Sequence, residues 1–370
     1  MKIAYLLGSL NRGGTETLLL DVFRNAVSNQ LDAIGIYRKT GVCEQDFQAS
    51  GVPLFQLKPG KNILSYFFRL RALLINQRVD IVHAQQAIDA LYAYMALWGT
   101  GIRIVLSTHG FDYSDTTIAK TIQGFILKHT DINIFVSAYQ KNYFTAKYHL
   151  KPEKQKVIYN GISFDKLAVK DNSAGTEMTF RNELQLSSDT LLLGTVGNFN
   201  LVRDQFTLCR FLKLIADAGV KFHFVFVGKR IDTMGERYDT CVTYCRDNGL
   251  SEKVSFLGVR HDVPQILHSL DAFLYATDHD TFGIAVVEAM ACGLPVFVNN
   301  WDVMTEITEN GRLANIYKTK DEQDLYRQFS LFLQDKNQFA DKALKSQQEV
   351  NKKYSIQKHI EEIKNTYKSI

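Results

Sequence analysis

Short apolar runs alternate with segments of helical periodicity from one end of the chain to the other. This alternation is typical of parallel β-strands joined by crossover helices, and it predicts an α/β fold. In the first half, strands are predicted at 2–8, 33–37, 53–57, 80–84, 103–107 and 132–136. In the second half, they are predicted at 191–196, 221–227, 254–257, 272–275 and 295–298.

The segment 18–27 illustrates the helices that the pattern predicts between strands. Its apolar side chains recur at helical spacing, so we expect one face of this helix to pack on a sheet. The residues on that face are Leu18, Leu19, Val22, Phe23, Ala26 and Val27. The stretch 321–370 is also helical in pattern and is rich in Lys and Gln.

The length of 370 residues exceeds what one compact core usually holds, so two domains are expected. Residues 169–177 (VKDNSAGTE) are small, polar and without periodicity, which indicates a boundary region. We expect one domain at 1–165 and a second at 186–350. Each is predicted to be a Rossmann-like, doubly wound parallel sheet, the two sheets facing a cleft. Ligands are expected beyond the carboxyl ends of the strands.

Composition and charge exclude several classes of protein. The 46% hydrophobic and 22% charged content are those of an ordinary globular protein. A net charge of +4 does not indicate a nucleic-acid partner. The apolar runs are strand-sized and fall short of the roughly 18 residues that a membrane-spanning helix needs. Residues 1–10 end at a glycine-rich turn without a cleavage pattern, so we interpret them as a first strand and not as a signal peptide.

Five cysteines are spread along the chain without the paired short intervals of a zinc site. Cys241 and Cys245 are one helical turn apart, a spacing that favours structural thiols. We therefore expect a reducing compartment and a cytoplasmic location.

The first candidate for chemistry is the turn at residues 8–16 (GSLNRGGTE), between the first strand and the first helix. Glycines there bring backbone close to a phosphate, and the start of a helix adds partial positive charge. The turn is not a dinucleotide fingerprint, because its glycines lack the G-x-G-x-x-G spacing. It is not an NTPase P-loop either, because Gly14 stands where the lysine must be. A phosphate cradle and a plain tight turn both remain open.

The second candidate is the stretch 271–299, in which a strand, a polar loop and a helix follow one another. The helix is expected to begin near Gly283 and to end at Gly293, because Pro295 cannot continue it. Backbone N–H groups around Phe282, Gly283 and Ile284 would lack helical partners and form a ready anion site.

Two carboxylates flank that helix start. Asp280 lies just before the turn, and Glu288 lies inside the helix. Ionised carboxylates accept strong hydrogen bonds, so these two are suited to hold the hydroxyl groups of sugars at either end of a diphosphate. The alternative is that Asp280 only solvates the loop and that Glu288 is a surface residue of the helix.

The stretch resembles the signature of retaining glycosyltransferases with the GT-B fold, in glycosyltransferase family 4. Asp280 and Glu288 keep the spacing of that signature. Its surroundings are matched by Phe282, Gly283, 288–291 (EAMA), Gly293 and Pro295. Further matches in the family's order are 13–16 (GGTE), 107–110 (STHG), Ser137, 160–162 (NGI), Val196, Gly197 and 256–258 (FLG).

The chain departs from the family pattern at two positions. The family usually has Glu where this chain has Asp280, which is shorter by one methylene. The segment G-R-x-x-x-x-K-G is replaced by 197–204 (GNFNLVRD). Arg203 keeps a phosphate ligand there, whereas Asn198 lacks the charge of the usual arginine.

The resemblance implies roles for individual residues. Arg203 would neutralise charge on the leaving phosphate, Asp280 would hold the transferred sugar, and His109 would lie near the sugar and the acceptor. These three are the expected catalytic residues. The expected donor-binding residues are Gly13, Gly14, Asn198, Thr281, Phe282, Gly283, Ile284 and Glu288, the last on the ribose hydroxyls. Less specific candidates are Glu16, His83 as a second family histidine, and Lys229 and Arg260 near the nucleobase.

The resemblance also implies a reaction and its partners. The expected activity is transfer of a sugar, with retention, from a nucleotide-sugar to a glycan or lipid-linked acceptor in capsular, exopolysaccharide or lipopolysaccharide biosynthesis. UDP is expected ahead of GDP as the donor nucleotide, with no cofactor, metal ion or nucleic acid. The C-terminal helix, 354–370, is expected to join the first domain, as in related enzymes.

Segment 58–78 carries five basic residues and no acidic one, interleaved with aromatic residues. It fits a peripheral contact with the inner face of the cell membrane. The alternative, which the composition favours, is an ordinary core-facing helix with a solvated basic side.

Two other functions stay open. An inactive GT-B protein that only binds a nucleotide or glycan is consistent with Asp280 and Asn198. A nucleotide-sugar epimerase would share the architecture and the donor but need no acceptor.

Overall fold

The computed structural model describes residues 1–111, 116–168 and 180–370. The expected boundary region 169–177 lies outside the described residues. The chain forms two compact units, one of Met1–Ile162 with Tyr354–Ile370 and the other of Ser163–Lys353.

The first unit is built on a parallel sheet of seven strands in the order β3-β2-β1-β4-β5-β6-β7. The order reverses beside β1, which is the doubly wound arrangement that alternating strands and helices predict. The strands are β1 (Lys2–Ser9), β2 (Asp32–Lys39), β3 (Leu54–Gln56), β4 (Ile81–Ala84), β5 (Arg103–Thr108), β6 (Ile132–Phe135) and β7 (Gln155–Val157). The helices are α1 (Gly14–Arg24), α2 (Glu44–Gln48), α3 (Ile63–Asn76), α4 (Ala87–Ala96), α5 (Thr117–His129) and α6 (Ala138–Tyr148).

The second unit is built on a parallel sheet of six strands in the order β10-β9-β8-β11-β12-β13. The strands are β8 (Leu191–Val196), β9 (Phe222–Val227), β10 (Val254–Gly258), β11 (Ala272–Tyr275), β12 (Val296–Asn299) and β13 (Asn315–Tyr317). The helices include α7 (Gln205–Asp217), α8 (Gly235–Asp247), α9 (Val263–Ser269), α10 (Ile284–Ala291), α11 (Asp302–Ile307), α12 (Glu322–Gln334) and α13 (Lys336–Lys353).

The C-terminal helix α14 (Ile356–Lys368) completes the core of the first unit. Ser355 caps its start by accepting a hydrogen bond from the Lys358 N–H. Its apolar stripe lies in the same hydrophobic cluster as β1 and α1. The members of that stripe are Ile356, Ile360, Ile363 and Tyr367.

The prediction of two doubly wound α/β domains is confirmed, and every strand that the pattern predicted is present. Two observed strands were not predicted, β7 and β13. Each is only three residues long and carries polar residues, so neither produces an apolar run.

The prediction for the buried face of α1 is wrong at one residue. Leu18, Leu19, Val22, Phe23 and Ala26 are buried, but Val27 is 81% exposed. The cause is that α1 ends at Arg24, so the helical spacing no longer applies at Val27.

All five cysteines carry free thiols, and four of them are buried. Within residues 1–111, 116–168 and 180–370, none of the helices combines the length and apolar character that a bilayer crossing requires.

Candidate functional site

At the carboxyl edge of the second sheet, β8 and β9 are each followed directly by a glycine, and these two glycines touch. Gly197 follows β8 and Gly228 follows β9, and a Cβ on Gly228 would lie 2.1 Å from the Gly197 oxygen. Glycine is therefore required at position 228 for the backbone segments that follow β8 and β9 to approach each other. Asn198 extends this contact, since its Oδ1 accepts a hydrogen bond of 2.8 Å from the Lys229 N–H. The asparagine that replaces the expected arginine is thus part of the turn itself.

The start of α10 is set by Gly283, whose φ of +84° is left-handed. A Cβ there would also lie 2.8 Å from the Met304 Cε, so both strain and space favour glycine. Glycine at the N-cap supplies no side chain to accept the first N–H groups of the helix. Thr281 and Ile284, on either side of the turn, are half-buried. This turn is where the sequence predicts an anion site.

Arg203 and Asp280 lie together at this edge of the sheet. The Arg203 Nη1 is 3.1 Å from the Asp280 Oδ2, and the two side chains are 16% and 15% exposed. Tyr275, the last residue of β11, contributes twice. Its hydroxyl donates to the Asp280 Oδ2, and the Arg203 Cζ lies 4.3 Å from the centre of its ring. Arg203 is therefore held by charge from one side and by a cation–π contact from another.

The Arg203 guanidinium retains unused donors. Its Nε and Nη1 are buried and make no hydrogen bond within the described chain, because the approach of Asp280 is not aligned as one. Burial lowers the pKa of Arg203, and the charge of Asp280 opposes that change. Buried donors without partners are unfavourable unless a ligand satisfies them. The arrangement suits an anionic ligand.

The Asp280 carboxylate has several partners in its own unit. Besides Arg203 and Tyr275, its Oδ1 accepts a hydrogen bond of 3.3 Å from the Phe282 N–H. The Asp280 carbonyl accepts one of 3.1 Å from the Trp301 Nε1. The short side chain is thus fixed beside the turn that leads into α10.

Glu288 is half-buried on α10, one turn before Cys292. Burial and the charge of Glu288 raise the pKa of the Cys292 thiol to about 12. Glu288 is therefore a charged residue close to this thiol, which stays protonated at neutral pH.

In the first unit, His109 follows β5 and lies in the wall of a pocket of about 440 Å³. Its Nε2 is 2.8 Å from the Gln85 Oε1. Burial, and then the charge of His359, lower the pKa of His109 to about 4, so the ring is neutral at pH 7. Other residues in the pocket wall are Thr15, Thr108, Phe111 and Gln123.

The glycine turn of the first unit opens α1 beside this pocket. Gly13 is the N-cap of α1, Gly14 begins the helix, and Thr15 reaches the pocket wall. A Cβ on Gly13 would lie 2.5 Å from the Glu16 Oε2. Burial raises the pKa of Glu16.

His83 lies deeper in the unit and is 1% exposed. Its Nδ1 is 2.5 Å from the Tyr367 hydroxyl, and its Nε2 is 2.7 Å from the Ser107 Oγ. Among the described residues, those that line the pocket do not include His83. Both ring nitrogens are occupied within the protein, so the structure assigns His83 an internal role and not the ligand contact that the sequence left open.

The two residues expected near a nucleobase differ. Lys229 is exposed just beyond β9. Arg260 is paired with Glu183 at 2.7 Å and with Asp262 at 2.6 Å. These carboxylates raise the pKa of Arg260 and occupy its guanidinium, so Arg260 acts first as an internal ion-pair partner.

Sequence reasoning did not single out Tyr275 or Gln85. Tyr275 reads as the last apolar residue of a strand, and Gln85 as one of two glutamines after β4. Only the folded structure shows that Tyr275 contacts Arg203 and that Gln85 contacts His109. A polar or amphipathic residue at the carboxyl end of a parallel strand is the signal that would have marked both.

Comparison with known proteins identifies the family of the chain. Residues 12–166 match the family described as Glycosyltransferase Family 4, and residues 177–353 match the family described as Glycosyl transferases group 1. The chain is 24% identical over 320 residues to UDP-Gal:alpha-D-GlcNAc-diphosphoundecaprenol alpha-1,3-galactosyltransferase of Escherichia coli, covering 81% of this chain and 79% of the relative.

It is 21% identical over 318 residues to the O-antigen biosynthesis glycosyltransferase WclY of Escherichia coli, covering 83% of this chain and 82% of the relative. The crystal structure of Anabaena Alr3699/HepE in complex with UDP and glucose matches the whole of both chains, with a TM-score of 0.86 at 20% identity. The chain belongs to the glycosyltransferases of group 1 and family 4, and its two Rossmann-like domains are those of the GT-B fold.

Proposed function

We propose that this protein transfers a sugar, with retention of anomeric configuration, from a nucleotide-sugar to a glycan or lipid-linked acceptor. The observation that carries the proposal is the buried Arg203 guanidinium, whose Nε and Nη1 have no hydrogen-bond partner within the described chain. It lies at the carboxyl edge of the second sheet, where ligands of such sheets bind. A diphosphate supplies the acceptors that these donors need.

The donor nucleotide is proposed to be UDP, with GDP next. Two proteins similar to this chain support that choice. One was crystallised in complex with UDP and glucose, and the other is named for UDP-Gal. The diphosphoundecaprenol in the name of the second supports a lipid-linked acceptor, and the O-antigen biosynthesis in the name of WclY supports a role in polysaccharide biosynthesis.

Arg203 is proposed to neutralise the charge that develops on the leaving phosphate. A charged contact of this kind lowers the activation barrier by about 3 kcal/mol, which raises the rate by about two orders of magnitude. The N–H groups of the turn at Gly283 and the backbone at Gly14 would cradle the diphosphate. Glu288 would accept hydrogen bonds from the ribose hydroxyls.

Asp280 is proposed both to bind the transferred sugar and to orient the Arg203 guanidinium. Its Oδ2 is the atom that meets both Arg203 and Tyr275. When a diphosphate pairs with Arg203, this oxygen becomes available to a hydroxyl of the transferred sugar. The shorter Asp in place of the usual Glu thereby gains a second role, which is to orient the guanidinium.

The acceptor is proposed to be lipid-linked because of a surface on α3, α4 and α5. These helices pack side by side. Three large apolar side chains are exposed there: Phe68 (71%) on α3, Trp98 (73%) in the turn just after α4, and Ile118 (74%) at the start of α5. The buried side of α3 is Tyr66, Leu70 and Leu74, so its basic residues lie outside. Exposed aromatic residues among lysine and arginine fit a peripheral contact with anionic lipid.

Liposome flotation tests the membrane contact. Wild-type protein should float with anionic vesicles at low salt and dissociate at high salt. Phe68→Ser with Trp98→Ser should reduce flotation, whereas Leu344→Ser, an exposed leucine of the second unit, should not. Equal flotation of all three proteins would contradict a membrane contact through Phe68 and Trp98.

The reaction itself is tested by incubating the purified protein with UDP-glucose, UDP-galactose, UDP-N-acetylglucosamine and GDP-mannose, and following the anomeric protons by NMR. Slow release of an α-configured sugar with free nucleotide, unaffected by EDTA, supports a retaining, metal-independent transferase. Interconversion of donors would instead establish the epimerase alternative. Binding of a nucleotide without any turnover, with cell-membrane extract as the acceptor source, would establish the inactive alternative.

A further inference from the structure

The residues that follow β4 and β5 are joined by a hydrogen bond. The two strands pair in parallel, with Ala84 opposite Leu106. Gln85 and His109 come directly after them in the chain, and the His109 Nε2 lies 2.8 Å from the Gln85 Oε1. Gln85 is 5% exposed, so its amide must find partners inside the protein.

The orientation of the Gln85 amide follows from its second partner. The Gln85 Nε2 faces the backbone oxygen of His83 at 3.5 Å. A backbone carbonyl only accepts hydrogen bonds, so the amide nitrogen, and not the amide oxygen, must lie on that side. The amide oxygen therefore faces His109, and it too only accepts. The bond requires a proton on the His109 Nε2.

We infer that Gln85 is a positioning residue that holds His109 as the tautomer protonated on Nε2. In this tautomer the Nδ1 carries a lone pair and is the acceptor nitrogen of the ring, so a sugar hydroxyl that met it would donate its proton. The opposite tautomer would present an N–H, which a hydroxyl meets by accepting, so the tautomer sets the direction of the hydrogen bond. The catalytic consequence rests on the function proposed above, whereas the tautomer itself does not.

The chemistry of the neighbours agrees with a neutral ring. A carboxylate in place of Gln85 would favour the imidazolium form, but an amide carries no charge. The titratable groups that act on His109 include His83 and His359, both buried. Protonated charge on either would disfavour a further charge on His109. Burial lowers the pKa of His83 to about 3 and that of His359 to about 4, so the three rings are neutral together.

The tautomer is measured by long-range proton–nitrogen correlation NMR on the full-length protein labelled with ¹⁵N-histidine. His109→Asn identifies the His109 signals among the nine histidines. The wild type should show a single Nε2–H form between pH 5.5 and 8, with a slowly exchanging Nε2 proton. An Nδ1–H form, or an imidazolium at pH 7, would overturn the inference without affecting the proposed reaction.

Two variants test whether Gln85 is the cause. Gln85→Leu should lose the slowly exchanging Nε2 proton, because the acceptor is gone. Gln85→Glu should raise the pKa of His109 by about 1 to 3, so that both nitrogens are protonated well above the pH at which the wild type titrates. Gln86→Glu is the matched control. Its carboxylate would meet the Arg38 Nη2, which now lies 3.3 Å from the Gln86 Oε1. It should therefore leave the titration of His109 near that of the wild type, and equal titration of all the variants would assign Gln85 a purely structural role.

Kinetics provide a second readout. Gln85→Leu should lower kcat about tenfold or more, with a much smaller change in the KM for the donor, because the inferred effect of Gln85 is on the orientation of His109. Gln85→Glu should gain a dependence of kcat on pH in the range where its His109 titrates. If Gln85→Glu shifts the NMR titration of His109 but keeps the wild-type pH profile of kcat, the protonation of His109 does not affect the reaction. That result would contradict the role proposed for His109 and leave the tautomer inference intact.

Discussion

Arg203 and Asp280 form an ion pair, with 3.1 Å between Nη1 and Oδ2. Each residue lies just before a helix that is a candidate donor-binding element. Arg203 precedes α7 and Asp280 precedes α10, so the pair ties the ends of two neighbouring strands together. The same two residues are the ones expected to contact the phosphate and the sugar of a donor. The pair is therefore a structural contact and a candidate binding element at once.

Removing the carboxylate should destabilise the second unit and make it more responsive to nucleotide. Asp280→Asn leaves a buried guanidinium without its counter-charge, and we expect a loss of about 3 kcal/mol in the free energy of unfolding. UDP should then raise the melting temperature more in Asp280→Asn than in the wild type, since its phosphates replace the lost charge. Differential scanning fluorimetry with and without UDP measures both effects.

Tyr275→Phe is the control for that experiment. It removes the hydroxyl donated to Asp280 but keeps the ring under Arg203 and both charges. Its loss of stability should be near 1 kcal/mol, with a UDP response like that of the wild type. An equal UDP response in all three proteins would contradict a phosphate contact at Arg203.

A side chain at position 283 should disrupt the turn that begins α10. Gly283→Ala combines a left-handed φ of +84° with a Cβ 2.8 Å from the Met304 Cε, and we expect a loss of about 2 to 3 kcal/mol. Gly249→Ala is the matched control, because its φ is +70° but open space surrounds its Cβ. It should lose only about 1 to 2 kcal/mol. Urea unfolding of both variants separates strain from crowding, and equal losses would show that Met304 simply moves aside.

Stability should fall as the pH drops from 7 to 5. Burial lowers the pKa of His83 to about 3 and that of His359 to about 4 in the folded state, below about 6.5 in the unfolded chain. The unfolded state then binds more protons in this range, so each histidine removes about 2 kcal/mol from the free energy of unfolding at pH 5. Most carboxylates titrate below this window.

His359→Gln isolates one of these contributions. The slope of unfolding free energy against pH between 7 and 5 should become shallower in this variant, as measured by urea titrations at several pH values. An unchanged slope would mean that His359 takes up its proton over the same pH range in the folded protein as in the unfolded chain.

Removal of residues 354–370 should abolish the stable fold of the first unit. Four apolar side chains of α14 lie in its main core, and truncation of one such side chain commonly loses about 2 to 5 kcal/mol. Differential scanning calorimetry should show one cooperative transition missing from the truncated protein. Asn365→Ala, at an exposed position of α14, is the control, and a truncated protein with the wild-type melting curve would contradict the role of α14.

The periodicity of the sequence was sufficient for the fold because parallel strands buried on both faces give apolar runs. Leu191–Val196 and Ala272–Tyr275 were predicted with the bounds that the structure has. Short edge strands such as β7 carry no such run. They are defined only by their pairing with a neighbouring strand, which periodicity does not reveal. The end of α1 at Arg24 was also beyond a periodicity argument, because Val27 continues the apolar pattern.

The candidate site was predictable only as separate pieces. The spacing of Asp280 and Glu288 and the turn at Gly283 could be read locally. The pairing of Asp280 with Arg203 could not, because it depends on β8 and β11 being neighbours in the sheet. Likewise, the hydrogen bond of His83 could not be predicted, because its partner Tyr367 lies at the far end of the chain.

The most direct test of the central claim is calorimetric titration of the full-length protein with UDP, GDP and ADP, for the wild type and for Arg203→Ala. Arg246→Ala, which removes an exposed arginine paired with Asp247, is the matched control. We predict that UDP binds most tightly and that only Arg203→Ala weakens it, by about two orders of magnitude. Undiminished UDP binding by Arg203→Ala, or no binding of any nucleotide by the wild type, would contradict the account.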